Sequence, residues 1–181
     1  YRLFYEHPVQ LVRGAGTKVY DITGVEYLDA YNNVPSVGHS HPRVAQAIAR
    51  QAALLTTHTR YLSEPTVEYA EELLATLPAP LDNIMFTCTG SEANDLALKL
   101  AKLATGATGV IVTRNAYHGV TTEVALISPS LGGIESVADW VRVVRAPGTD
   151  ADLAEAVSAS VSEMEAFGIR PAALIVDTIF A

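Results

Sequence analysis

Three short stretches hold residue types whose order and spacing could do chemistry. The first is Met85-Phe86-Thr87-Cys88-Thr89-Gly90-Ser91-Glu92-Ala93-Asn94. An apolar run meets a glycine turn, and a helical pattern begins at once. The opening N–H groups of a helix have no internal partner and sit at the positive end of its dipole. An anion such as a phosphate monoester is held well by such groups. Gly90 permits close backbone approach, and the Thr89 and Ser91 hydroxyls add donors. No lysine follows the glycine, as a triphosphate loop requires. The further glycines of a dinucleotide fingerprint are also missing. A plain helix cap at Thr89 or Ser91, with no ligand, accounts for this motif equally well.

The second stretch is Asn115-Ala116-Tyr117-His118-Gly119, directly after an apolar run ending at Thr113. Ligands of open parallel sheets bind beyond the carboxyl ends of strands. The Gly90-Ser91 and Tyr117-His118 turns therefore belong to the same kind of edge. An aromatic ring there could stack on a flat heteroaromatic ring whose phosphate sits at Gly90-Ser91. Taken alone, a surface tyrosine and a satisfied histidine explain the stretch better. The third stretch runs from Asn32 to Pro42 and contains His39-x-His41. Two histidines without a third ligand make a weak metal site, and cap or loop hydrogen bonding is the better reading. His7 and His58 add no ligand spacing. Gly90-Ser91 lacks the Gly-x-Ser-x-Gly elbow of serine hydrolases. Cys88 lies in an apolar run, which makes it an inert core thiol.

The elements that must position these residues follow from periodicity. Residues 17–22 and 26–31 read as two strands joined by a Thr23-Gly24 turn. Pro42 opens a helix with Val44, Ala47, Ile48, Ala52 and Leu55 on one face. A second helix begins near Ser63 or Glu64, has Val67, Ala70, Leu74 and Leu77 as its stripe, and ends at Pro78 and Pro80. From residue 83 strands and helices alternate. Buried strands are expected at 83–88, 109–113, 140–144 and 172–178. Helices are expected at 91–104 and 150–167. In the first of these Ala93, Leu96, Ala97, Leu100, Leu103 and Ala104 face inward. In the second Leu153, Val157, Val161 and Met164 do so, with Gly168 as the stop. Residues 121–140 are ambiguous. This alternation predicts an α/β fold, a mostly parallel sheet with helices on both faces. Residues 1–62 form an N-terminal arm and lobe, and 63–181 the sheet domain.

Composition narrows the function classes. Apolar residues are 49% and charged residues 18% of 181, which fits a globular chain. A net charge of -8 with no basic stripe argues against a nucleic-acid partner. The single cysteine rules out an internal disulfide and suits a reducing compartment, the cytoplasm. No apolar run approaches the roughly 20 residues of a membrane helix. The start at Tyr1 and the stop after an apolar run look like cuts in a longer protein.

Together the motifs resemble the class III (omega) aminotransferases of the pyridoxal-phosphate (PLP) fold type I group. Gly14-x-Gly16 through Tyr20-Asp21-x-x-Gly24-x-Glu26-Tyr27-Leu28-Asp29 looks like that family's opening strands. Gly38-His39-x-His41-Pro42 looks like its loop before the first long helix. Thr89-Gly90-Ser91-Glu92-Ala93-Asn94 resembles its phosphate-binding turn, and Tyr117-His118-Gly119 its ring-stacking turn. Asn32-Asn33-Val34, Thr57-x-Thr59-Arg60-Tyr61-Leu62 and Ile127-Ser128-Pro129 suggest the branch with ethanolamine-phosphate phospho-lyase, alanine–glyoxylate aminotransferase-like proteins and kinase-fused aminotransferase modules.

The resemblance implies pyridoxal 5'-phosphate as cofactor, with an incomplete fold type I large domain in 63–181. Thr89, Gly90 and Ser91 would bind the cofactor phosphate. Tyr117 would stack on its ring, with His118 and Gly119 shaping that wall. Asn33, Arg60 and Tyr61 would face the substrate. The implied partners are a small-molecule amino donor, an oxo-acid or aldehyde acceptor, and a second copy in a homodimer. The residues around 56–62 are an interface element in that reading. The family's Schiff-base lysine and pyridinium aspartate have no counterpart here. Lys18, Lys99 and Lys102 stand in unsuitable contexts, and Asp177-Thr178 replaces the usual Glu-Pro. No catalytic residue is expected in this chain, which alone should be inactive. A phospho-lyase acting on an amino-alcohol phosphate is the nearest alternative, although no extra basic cluster accompanies Ser128-Pro129-Ser130. A non-catalytic association module is the other.

Overall fold

A computed structural model describes residues 5–31, 33, 35–148 and 152–177. Asn32 and Val34 of the branch motif, the expected helix start at Asp150 and the strand end at Thr178 lie outside the described residues. The chain forms two compact units, Tyr1–Thr76 and Leu77–Ala181. A division after residue 62 was expected; the helix at Glu64–Leu74 instead falls in the first unit.

In the first unit, β1 (Leu11–Ala15), β2 (Lys18–Asp21) and β3 (Glu26–Leu28) make an antiparallel sheet in that order. Asp21 builds the β2–β3 turn. Its Oδ1 accepts from the Thr23 hydroxyl at 2.7 Å and from the amides of Thr23 at 2.9 Å and Val25 at 3.0 Å. These bonds, the Thr23 hydroxyl's first, hold its carboxyl below the usual range. Helix α1 (Pro42–Leu54) starts at the expected proline, and α2 (Glu64–Leu74) follows. Neither helix has a buried residue among those described. Their apolar stripes exist, but nothing in their own unit covers them, so Ile48 is 65% exposed.

The second unit begins with an irregular segment and α3 (Gly90–Thr105). Next come β4 (Gly109–Thr113), α4 (Thr122–Ala125), two 3-10 turns at Pro129–Leu131 and Ile134–Ser136, and β5 (Val141–Val144). Helix α5 (Leu153–Ala166) and β6 (Pro171–Ile175) complete it. The strands are parallel, in the order β5-β4-β6. β4 is central and every one of its residues is buried. Its alternate residues feed two cores. Val110 and Val112 pack with Leu98 of α3, Val124 of α4, Ile127 and Val141. Ile111 packs on the other side with Met164, Leu153, Val157 and Val161 of α5. Period two along β4 thus sets α3 on one face and α5 on the other. The sheet, its parallel sense and its two-sided covering agree with the sequence reading.

Two expectations fail. Residues 83–88 are not a strand of this sheet, and Met85 is 67% exposed. An apolar run becomes a strand only where a neighbour pairs with its backbone, and the described order offers it no place. Cys88, expected in the core, is therefore exposed. The inward face of α3 also differs. Leu98 is its buried residue, with Asn94 and Ala101 half-buried above and below it, while Leu100 and Leu103 face out.

Candidate functional site

The start of α3 is shaped by a reciprocal cap. Thr89, in extended conformation, accepts the Glu92 amide on its Oγ1 at 3.1 Å. Glu92 reaches back and accepts the Cys88 amide on Oε2 at 2.8 Å. Thr-x-x-Glu encodes a capping box, and here its Glu92 arm takes the amide of the residue before the cap in place of the Thr89 amide. Thr89 carbonyl takes the Ala93 amide at 3.0 Å. The amides of Gly90 and Ser91 are left without a partner among the described residues. The space a Cβ of Gly90 would occupy is open for 4 Å around. Two unpaired donors at a dipole's positive end, beside free hydroxyl protons on Thr89 and Ser91, make a fit for one phosphate group.

Residues 114–120 leave the carboxyl end of β4 and turn onto that helix start. Ser91 Oγ accepts the Val120 amide at 3.1 Å, and Thr121 Oγ1 donates to the Ser91 carbonyl at 3.4 Å. Asn94 Nδ2 donates to the His118 carbonyl at 2.7 Å. Gly119 has φ +140°, and a Cβ there would fall 2.4 Å from Ser91 Oγ. The structure therefore joins all six expected residues of this edge: Thr89, Gly90 and Ser91 on one side, Tyr117, His118 and Gly119 on the other. Tyr117 is 57% exposed. His118 is 7% exposed, and its Nε2 is buried without a hydrogen-bond partner. Burial pushes the imidazole below its ordinary pKa, while the carboxylate of Asp177 pulls the other way. A buried imidazole whose Nε2 makes no hydrogen bond lines the edge.

Asn33, Arg60 and Tyr61 lie in the first unit. Asn33 donates to both carboxylate oxygens of Asp29 at 2.9 Å, and His39 Nε2 lies 2.6 Å from the same carboxylate. Asn33 and His39, in that order, hold the Asp29 carboxyl below its usual range. His39 is thus a loop residue bonded to a carboxylate. The Arg60 amide donates to His58 Nδ1 at 3.2 Å, and the Tyr61 ring stacks on His58 at 5.3 Å. Two residues of this edge lay in quoted motifs but were given no role from sequence. Asn94 closes the phosphate-turn motif, and Ser128 takes the His118 amide at 3.0 Å from a fully buried position. Their signal was a polar residue placed where packing calls for an apolar one.

The family model for class-III aminotransferases matches residues 4–159. An alanine–glyoxylate aminotransferase 2-like protein of Drosophila melanogaster is 42% identical over 150 residues, 81% of this chain and 30% of that protein. Ethanolamine-phosphate phospho-lyase homolog 1 of Caenorhabditis elegans is 40% identical over 150 residues, 81% of this chain and 32% of its own length. Among solved structures, a phospholyase from Arthrobacter in complex with phosphoethanolamine superposes with a TM-score of 0.91 at 40% identity. That match covers 99% of this chain and 45% of the other. A transaminase with PLP bound gives 0.75 at 26% identity, over 95% and 41%. The chain spans about a third of these curated relatives and under half of the solved chains. By sequence and by the PLP fold type I architecture it shares with these structures, the chain belongs to the class-III aminotransferase family.

Proposed function

We propose that this chain forms the phosphate-and-ring side of a pyridoxal 5'-phosphate site in an aminotransferase. That enzyme moves an amino group from an amine or amino acid to an oxo acid or aldehyde. The observation that carries this reading is the bond from the Val120 amide to Ser91 Oγ. It sets the Tyr117 turn against a helix start with two unpaired amides. Gly90 and Ser91 amides, aided by the Thr89 and Ser91 hydroxyls, would hold the phosphate. Tyr117 would stack on the ring, and His118 with Gly119 would close that wall. Bound PLP supplies an electron sink for the carbon next to a substrate amine. The residues of this chain bind and orient it, and the buried His118 wall excludes water from that side.

The lysine that carries PLP covalently is proposed to lie outside these 181 residues. Lys99 and Lys102 stand nine and twelve residues along α3 from Gly90, roughly 13 and 18 Å at 1.5 Å per residue. Lys102 is also paired with Glu123. Lys18 is paired with Glu26 in the first unit. This chain alone is accordingly inactive. Exposed apolar side chains such as Leu62 and Leu103 support burial against further polypeptide, including a second copy in a homodimer. No helix among the described residues is long and apolar enough to cross a membrane, and the exposed single thiol suits the cytoplasm. Asn33, Arg60 and Tyr61 are proposed to face the substrate.

One observation favours a second reading: the phospholyase match at 40% identity. A phospho-lyase would hold the same cofactor and release inorganic phosphate from an amino-alcohol phosphate. The complete gene product, loaded with PLP, separates the two. Amino transfer to an oxo acid without phosphate release supports the aminotransferase. Phosphate release from phosphoethanolamine without amino transfer supports the lyase, and neither activity overturns both.

A further inference from the structure

Three backbone groups around the Tyr117 turn are bonded by side chains instead of by a sheet or helix. His118 N–H donates to Ser128 Oγ at 3.0 Å. His118 C=O accepts from Asn94 Nδ2 at 2.7 Å. Val120 N–H donates to Ser91 Oγ at 3.1 Å. Residues beyond Thr113 have left the β4 ladder, so the buried His118 groups need partners from elsewhere, and the exposed Val120 amide takes a side-chain partner too. Ser128 is fully buried, and a hydroxyl in such a place is costly unless both its functions are used. Both are: it accepts from His118 and donates to the Val124 carbonyl at 2.8 Å. Asn94 stands four residues past Gly90 on the same helix face. The helix that presents the Gly90 and Ser91 amides thus also carries two of the three struts.

We propose that Asn94 and Ser128 are positioning residues that fix the Tyr117–His118 wall against the phosphate-binding end of α3, and so set the tilt of the bound ring. This rests on the PLP reading given above. An anchor of the phosphate alone would leave the ring to swing about its ester bond. Asn94 and Ser128 hold the wall that stops it. Neither residue touches the cofactor in this account; each acts through the backbone of His118.

The test uses the complete gene product with Asn94→Ala, Asn94→Asp and Ser128→Ala. PLP affinity is read by absorbance titration, ring geometry by the visible circular dichroism of bound cofactor, and folding by apo-protein melting. Asn94→Asp keeps the side-chain shape but removes the donor, which guards against a variant that fails by packing. Each variant is expected to lose about tenfold in PLP affinity, the factor that one unsatisfied buried group is worth. The dichroic band per bound cofactor is expected to change with it. Variants that melt lower yet bind PLP within twofold, with an unchanged band, would show a merely structural role and overturn the proposal. A wild-type protein that binds no PLP would sink the cofactor reading and this inference together. Wild-type binding with silent variants sinks the inference alone.

Discussion

Ser91 Oγ lies 3.1 Å from the amide nitrogen of Val120, twenty-nine residues away in sequence. That bond places the start of one helix against a turn at the carboxyl end of the central strand. Helix-start amide donors and an exposed aromatic residue thereby share one edge, and all but one of the predictions below follow from how that edge or its supports are held.

Gly119→Ala should destabilise the second unit by about 1–3 kcal/mol. Its Cβ would meet Ser91 Oγ at 2.4 Å and Ser91 Cα at 2.8 Å, in a φ of +140° that side chains rarely adopt. Chemical denaturation measures the loss. Adding Ser91→Gly should not restore stability, because the clash with the backbone of residue 91 and the unfavourable φ both remain; full rescue would contradict this account.

Thr89→Ala should cost about 1 kcal/mol, and Thr89→Ser a few tenths. The Oγ1 that accepts the Glu92 amide is lost in one and kept in the other. Equal stability of the two variants by urea unfolding would show that the cap does not form.

The sequence showed more of this edge than of its supports. Thr89, Gly90 and Ser91 were legible because a turn glycine, two hydroxyls and an immediate helix are local features. Tyr117 stood out only through the ordered set of motifs, since alone its stretch read better as a surface turn after a buried strand. The face of α3 was not. That helix is apolar on two sides, so periodicity alone could not choose between the side with Leu98 and the side with Leu100 and Leu103. Residues 83–88 misled for a related reason. Their apolar pattern describes a strand, but pairing needs a neighbour that pattern cannot supply. Ser128 was invisible as a support because its partner, the His118 amide, is a backbone group no motif names.

His118 should make stability pH-dependent below neutrality. Burial lowers its folded-state pKa, so the unfolded chain takes up the proton first as pH falls. Its contribution is complete above the unfolded value, about 6.5, and is lost as pH drops through the lowered folded value. Melting between pH 7.5 and 5.5 should show a decline that His118→Asn reduces. A variant with the same slope as wild type would remove His118 as the cause.

Gly14→Ala should destabilise the first unit by about 1–3 kcal/mol. The new Cβ would fall 2.6 Å from His39 Cβ, and the Asp29 carboxylate holds the His39 ring in place. Limited proteolysis should then cut residues 5–41 earlier than in wild type. Unchanged cleavage would mean that the hairpin and the His39 loop are not clasped as described.

The most direct test of the central claim is a crystal structure of the complete gene product grown with pyridoxal 5'-phosphate. The account predicts the phosphate within hydrogen-bond distance of the Gly90 and Ser91 amides and the Tyr117 ring stacked on the pyridine. Cofactor bound elsewhere, or a Tyr117 turn swung away from Ser91 when PLP is present, would contradict it.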